Sequence, residues 1–350
     1  MNDLPTMMNA VLLMGHGDLA QLHYRQYIRT PRPRAYEVLI RVHAAALNNT
    51  DINTRTGWYA KDSQSMLDAA WNGKKMAFPR IQGADVCGEI VAVGENVDDN
   101  RIGERVLIEP CLHDDNGEKL EYCHYFGSEC DGGFADYCTV SAKQAYKIES
   151  PLTSIELASF PCAYSTAENM LGRAYVAKNE RVLITGASGG VGTAAIQLAR
   201  ARGAYVFALS TQAKREKLLE IGADEVINKD EDLVEALGEN NIDVVIDSVA
   251  GSQWPQLLRV LKPKGRYAVC GAIAGAMVEL DIRTLYLKDL SFFGCTELEP
   301  ETFINLIRHI ELGNIKPLVA KTYSLAQIKQ AQKLFSKKRH IGKIVLNCYL

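Results

Sequence analysis

The chain has no apolar run long enough to cross a bilayer, no C-x-x-C pair and no excess of one charge. Each absence removes a class of function. A spanning helix needs about 20 consecutive apolar residues, and Met1–Pro5 carries neither the basic region nor the apolar stretch that opens a secretory leader. A soluble, cytoplasmic protein is expected. Formal net charge is −3, with acidic and basic residues interspersed. Neither nucleic acid nor an anionic membrane would find a basic footprint here, so a small-molecule partner is favoured. The nine cysteines are scattered and odd in number, which predicts reduced thiols rather than a disulfide framework.

What is present suits two domains, since 350 residues with 47% hydrophobic content exceed one ordinary core. The most informative stretch is Val182-Leu183-Ile184-Thr185-Gly186-Ala187-Ser188-Gly189-Gly190-Val191-Gly192, running on into Thr193–Arg200. It reads as buried strand, tight turn and helix. Small residues let the backbone approach a pyrophosphate, and the free N–H groups of the new helix hold its charge. The strict G-x-G-x-x-G spacing starts at Ala187, so only Gly189 and Gly192 fill glycine places, and context carries the assignment. Ser188, Gly189, Gly190, Val191 and Gly192 are the expected cofactor contacts.

Short strands dominate the first part: Val11–Leu13, Glu37–Val42, Gly88–Gly94, Gly103–Ile108 and Phe134–Val140. Helical spacing begins at Ser154–Phe160, with Ser154 as the expected cap. From there strands and helices alternate, which predicts a doubly wound parallel sheet closed by Leu290–Phe293. Helices are expected over Glu301–Gly313 and Leu325–Phe335, and a final strand over Lys343–Leu346. The fold class is therefore α/β. A β-rich domain covers 1–150 and is completed by 296–350, and a dinucleotide-binding domain covers 151–295.

Glu37–Val42, Asn48-Asn49-Thr50-Asp51 with Arg55, Gly57 and Tyr59, Gly83–Gly88, Asp131–Ala135, Thr166-Ala167, the glycine turn and Gly342–Val345 together resemble the medium-chain dehydrogenase/reductase superfamily, in its zinc-free quinone oxidoreductase branch. The resemblance runs nearly end to end. It implies a GroES-like β domain, a Rossmann domain, an active-site cleft where they meet, and a homodimer formed through the last Rossmann strand. It also implies Asn48 and Tyr59 as catalytic residues, Cys162 and Tyr164 in the substrate pocket, and Thr166 and Lys343 as further cofactor contacts.

Zinc enzymes of this superfamily hold their catalytic metal at positions matching Asn48, Ala84-Asp85 and Cys162. A catalytic zinc needs three N, S or O ligands. Asparagine and alanine stand where two of them should be, and one thiolate with one carboxylate makes a poor site. Cys111, His113, Cys123 and Cys130 fall where relatives carry a structural zinc lobe and offer a tetrahedral set. Their spacing departs from the close-paired pattern; the alternative is a polar surface lobe with incidental thiols.

An NAD enzyme places Asp or Glu at the end of the second strand to bond the ribose hydroxyls. Here that strand ends Ala208-Leu209-Ser210-Thr211, and Lys214 and Arg215 follow. Ser210, Lys214 and Arg215 are read as contacts of a 2′-phosphate, so the expected cofactor is NADP(H).

With no Lewis acid, hydride goes most easily to an acceptor that is already electrophilic, a quinone or an α,β-unsaturated carbonyl. Asn48 can donate to a developing oxyanion and Tyr59 can donate a hydrogen bond or proton. Two other readings stay open: a zinc-dependent alcohol dehydrogenase with Asp85 and Cys162 as unusual ligands, and an NADPH-responsive binding protein without turnover. Segment 60–80, with Trp71 and Phe78, reads as a lid or a plain surface insertion. His16 and His43 are read as strand or loop residues.

Overall fold

A computed structural model describes residues 4–60 and 69–349; part of the 60–80 segment thus lies outside the described residues. The chain divides into one unit of residues 1–162 with 317–350 and a second of 163–316.

The first unit is built on a seven-stranded, mainly antiparallel sheet. Glu37–Ala46 is its hub, pairing with Asp85–Val93, Tyr137–Ser141 and Lys343–Asn347. The tail strand Lys343–Asn347 brings Val345 opposite Ala46 and also runs parallel to Val319–Ser324. Val38, Ile40 and Val42 alternate into the core with Phe134, Ile344 and Leu346. Among the described residues no helix is long and apolar enough to cross a membrane.

The second unit holds six parallel strands in the order Glu225–Asn228, Tyr205–Ser210, Arg181–Ile184, Ile242–Asp247, Leu261–Val269, Ser291–Gly294. Numbered along the chain this is 3-2-1-4-5-6, the doubly wound order whose reversal point opens a ligand crevice at the carboxyl ends of the central strands. Arg181–Ile184 is central, and Val182, Leu183 and Ile184 are fully buried, as a strand covered on both faces requires.

The division falls later than residue 150 at one end and later than 295 at the other. Helix Ser154–Leu157 packs on Glu37–Ala46 and Asp85–Val93 and so belongs to the first unit. Glu297 accepts a hydrogen bond from the Asn169 amide, and Thr302–Glu311 buries Phe303, Leu306 and Ile310, so both belong to the second. The cap of helix Ser154–Leu157 is Thr153 rather than Ser154, because its hydroxyl and N–H exchange hydrogen bonds with Glu156 in a capping box.

Residues 111–125 form a hairpin, Cys111–Asp115 with Glu118–Tyr125, with Cys111, Cys123 and Tyr125 buried and Glu118, Lys119 and Glu121 exposed. Residues 69–76 dock onto it. Trp71 stacks on Tyr125 with ring centroids 5.1 Å apart, and the Trp71 and Asn72 N–H groups donate to Ser128 and Glu129.

Candidate active site

Two clusters hold most of the expected site residues, one in each unit. In the first, helix Asn49–Thr56 begins at Asn48, whose backbone N–H donates to the Asp51 carboxylate at 2.7 Å. The helix ends at Gly57, whose positive φ of 72° lets its N–H turn back on Asn53 and Thr54. Arg55 pins this helix inside the unit through Gln332 and the Gly17 carbonyl.

Around Asn48 the side chains close on one another. Lys343 donates to Asn48 Oδ1 at 2.5 Å and pairs with Asp85 Oδ2 at 2.7 Å. Asn48 Nδ2 donates to the same Asp85 oxygen at 3.0 Å, and the Cys162 N–H donates to the other at 2.5 Å. Lys343 is 3% exposed and Asp85 fully buried, so the pair is desolvated. Burial also raises Asp51 to a pKa of about 7.

Lys343 therefore sits with Asp85 and Asn48 inside the first unit. The signal was invisible in sequence, because these residues are far apart in the chain. Cys162 Sγ lies 2.7 Å from the Tyr125 hydroxyl, and burial pushes its thiol up to about 12. Tyr59 contacts Thr50 and Asn53, and burial raises its phenol to about 12.

Helix Pro161–Arg173 carries Cys162, Tyr164 and Thr166. Tyr164 is fully buried in the second unit; its hydroxyl donates to the Lys316 carbonyl and accepts from Gln197. A hydroxyl so engaged makes Tyr164 a packing residue, a correction to the pocket role expected for it.

In the second unit the glycine turn joins strand Arg181–Ile184 to helix Gly190–Ala201. Gly186 has φ +54°, and a Cβ there would lie 2.8 Å from Ser248 and Val249. At Gly192 a Cβ would lie 2.4 Å from the Gly186 carbonyl, so the helix start presses on the turn. Gly189 caps the helix and is exposed, with only the Gly186 carbonyl, at 3.3 Å, near an added Cβ. This open side, the free N–H groups behind it and the helix dipole fit a pyrophosphate.

Ser210 ends the second strand and is buried. Lys214 reaches back over the turn and donates to the Ser188 hydroxyl at 2.9 Å; burial lowers its pKa. Arg215 departs from its expected role, since its guanidinium donates to the Val226 carbonyl at 2.7 Å and ties its helix to the neighbouring strand.

Sequence reasoning passed over Asp247. Its fully buried carboxylate accepts from the Thr185 and Tyr267 hydroxyls and from the N–H groups of Val249 and Ala250. It thereby joins the carboxyl ends of three parallel strands beside the glycine turn.

Among the described residues, Cys111, His113, Cys123 and Cys130 do not gather into a ligand set within 4.8 Å. Cys130 lies beyond the hairpin, bridging to Phe126, and burial pushes its thiol up to about 12.

Residues 34–150 match the alcohol dehydrogenase GroES-like domain, and residues 190–311 match the zinc-binding dehydrogenase family. Acryloyl-coenzyme A reductase of Sulfurisphaera tokodaii is 31% identical over 90% of this chain and 93% of its own length. Human quinone oxidoreductase is 29% identical over 97% of this chain and 98% of its own. A crystal structure from Sinorhizobium meliloti 1021 superposes with a TM-score of 0.93 at 45% identity, covering 99% of this chain and 98% of that one. With a GroES-like unit and a doubly wound parallel sheet in one chain, matched along almost its whole length, the protein belongs to the medium-chain dehydrogenase/reductase superfamily.

Proposed function

We propose that this chain is an NADPH-dependent reductase that delivers hydride to a quinone or an α,β-unsaturated carbonyl without a catalytic metal. The observation that carries the reading is the Lys343 ammonium, 2.5 Å from Asn48 and 2.7 Å from Asp85. A divalent cation does not fit there: the carboxylate it would need is taken by an ammonium, an amide and the Cys162 N–H, and the Cys162 thiol is hydrogen-bonded and hard to ionise. The same atoms weigh against a zinc-dependent alcohol dehydrogenase. Relatives named for acryloyl-coenzyme A and quinone reduction act on acceptors that are already electrophilic.

NADPH supplies the hydride. The glycine turn would hold its pyrophosphate, and Lys214 with Ser188 its 2′-phosphate, where no strand-end carboxylate repels it. Asn48 would orient the acceptor carbonyl and donate to the developing oxyanion. Tyr59, its phenol held protonated well above neutral pH, would donate a hydrogen bond.

The reading includes a homodimer in the cytoplasm. Ser291–Gly294 is an edge strand, and Ile282, Tyr286 and Leu287 expose large apolar side chains just before it. Sedimentation of wild type and Leu287→Glu should give dimer and monomer respectively; a wild-type monomer removes the dimer.

The test of function is NADPH oxidation against a panel of quinones and enones, with and without a chelator. Turnover should survive chelation. Loss of turnover on chelation, with recovery on adding zinc, overturns the metal-free reading.

A further inference from the structure

We propose that Lys343 is a positioning residue of this site, an internal cation that fixes and polarises the Asn48 amide in place of a divalent metal. The inference rests on the reductase reading and assigns a role to a group which that reading leaves idle.

The geometry has one chemical solution. An ammonium can only donate, so the Asn48 atom facing Lys343 at 2.5 Å must be the amide oxygen. The amide nitrogen then faces Asp85, which accepts from it at 3.0 Å. Asp51 holds the backbone of the same residue at 2.7 Å, so Asn48 is fixed at three points and its amide cannot flip. Only one Nδ2 proton is spent on Asp85. The other has the Ala46 carbonyl at 3.5 Å, the outer limit of a hydrogen bond, and is the proton left for an acceptor oxygen.

A buried cation on the amide oxygen withdraws electron density through the C–N bond and makes the remaining N–H a stronger donor. Of the three positions that match zinc ligands in relatives, the ammonium contacts Asn48; it also contacts Asp85, the neighbour of Ala84 at the second, and Asp85 accepts from the Cys162 N–H at the third. Lys343 lies on the terminal strand, beside Asn48 only because that strand pairs with Glu37–Ala46. No bond is made or broken by the lysine, and its proton stays on Nζ.

The test compares Lys343→Ala, Lys343→Arg and the charge-neutral pair Lys343→Met/Asp85→Asn in full-length protein. The double variant guards against misfolding, since it removes both members of the buried Lys343–Asp85 pair together. With the best acceptor of the panel, kcat should fall about 10- to 100-fold in Lys343→Ala and in the folded double variant. Lys343→Arg should recover part of the loss, and methylamine should restore turnover to Lys343→Ala in a saturable way. NADPH affinity, read by nicotinamide fluorescence, should change less than about twofold.

A second readout needs no turnover. The side-chain NH2 resonances of Asn48, observed in protein labelled at asparagine, should shift in Lys343→Ala and return toward wild type in Lys343→Arg. Unchanged resonances, or an unchanged kcat in the folded double variant, overturn the proposal. Loss of NADPH affinity with kcat preserved overturns it in favour of a cofactor contact. Failure of the reductase reading looks different: wild type turns over no acceptor, and the Asn48 resonances alone then decide the role of Lys343.

Discussion

The Lys214 ammonium lies 2.9 Å from the Ser188 hydroxyl, so the cation that follows the second strand is anchored on the turn that follows the first. This arrangement places a positive charge beside the glycine turn with no carboxylate at the end of strand Tyr205–Ser210. Lys214→Ala should remove about 1.5–3 kcal/mol of NADPH binding, on the order of 10- to 150-fold in affinity, and leave NADH binding nearly constant. Arg215→Ala should instead lower stability, because its partner is the Val226 carbonyl. Dissociation constants for both cofactors, by nicotinamide fluorescence, check this. Equal losses for NADPH and NADH remove Lys214 from the phosphate site.

The two glycines of the turn should respond in opposite ways. Gly189→Val meets only the Gly186 carbonyl, at 3.3 Å, which needs a shift of a few tenths of an ångström, so the protein should fold and lose NADPH binding. At Gly192 the added carbon meets the Gly186 carbonyl at 2.4 Å, so Gly192→Val should unfold or strongly destabilise the second unit. Thermal melts and cofactor titrations of both variants separate the two effects. A Gly189→Val protein that binds NADPH normally means the turn does not hold the cofactor.

Glu109 makes stability depend on pH. Burial raises its pKa from 4.5 to about 7, with the Tyr146 hydroxyl only partly offsetting this. A carboxyl whose folded pKa lies above its unfolded value contributes fully below about pH 4.5, and that contribution is lost as pH rises through about 7. Glu109→Gln keeps the neutral form at every pH. Its melting temperature should match wild type near pH 4.5 and exceed it at pH 8, by a stability difference of roughly 1–3 kcal/mol. A constant difference between the two melting curves across that range would contradict the assignment.

Asp247 should matter for folding out of proportion to its size. Asp247→Ala strands two half-buried backbone N–H groups and two hydroxyls, a loss on the order of 3 kcal/mol. Asp247→Asn keeps an acceptor for Val249 and Ala250 and should lose clearly less. Chemical denaturation of the two variants gives the comparison, and similar losses would mean the carboxylate is not the hub.

By itself the sequence determined whatever is local. The apolar run Val182–Ile184 breaking into glycines specifies a buried strand, a tight turn and a helix, and alternation after residue 150 specifies a parallel sheet. The missing strand-end acid directs attention to Lys214, which the fold sets against Ser188. Such features depend on backbone preference and hydrophobic period, which act within a few residues.

Only tertiary structure decided the partners of the charges. Lys343 pairs with Asp85 beside Asn48, and the hydroxyl of Tyr164, read as a pocket residue, is spent on Gln197 and Lys316. Arg215 reads the same as Lys214 in sequence and differs from it only in which way the helix points it. A polar side chain, once buried, must find its complement wherever the fold brings one. Nothing in the local sequence records that Asn48 and Lys343, at opposite ends of the chain, meet across the pairing of strand Glu37–Ala46 with Lys343–Asn347.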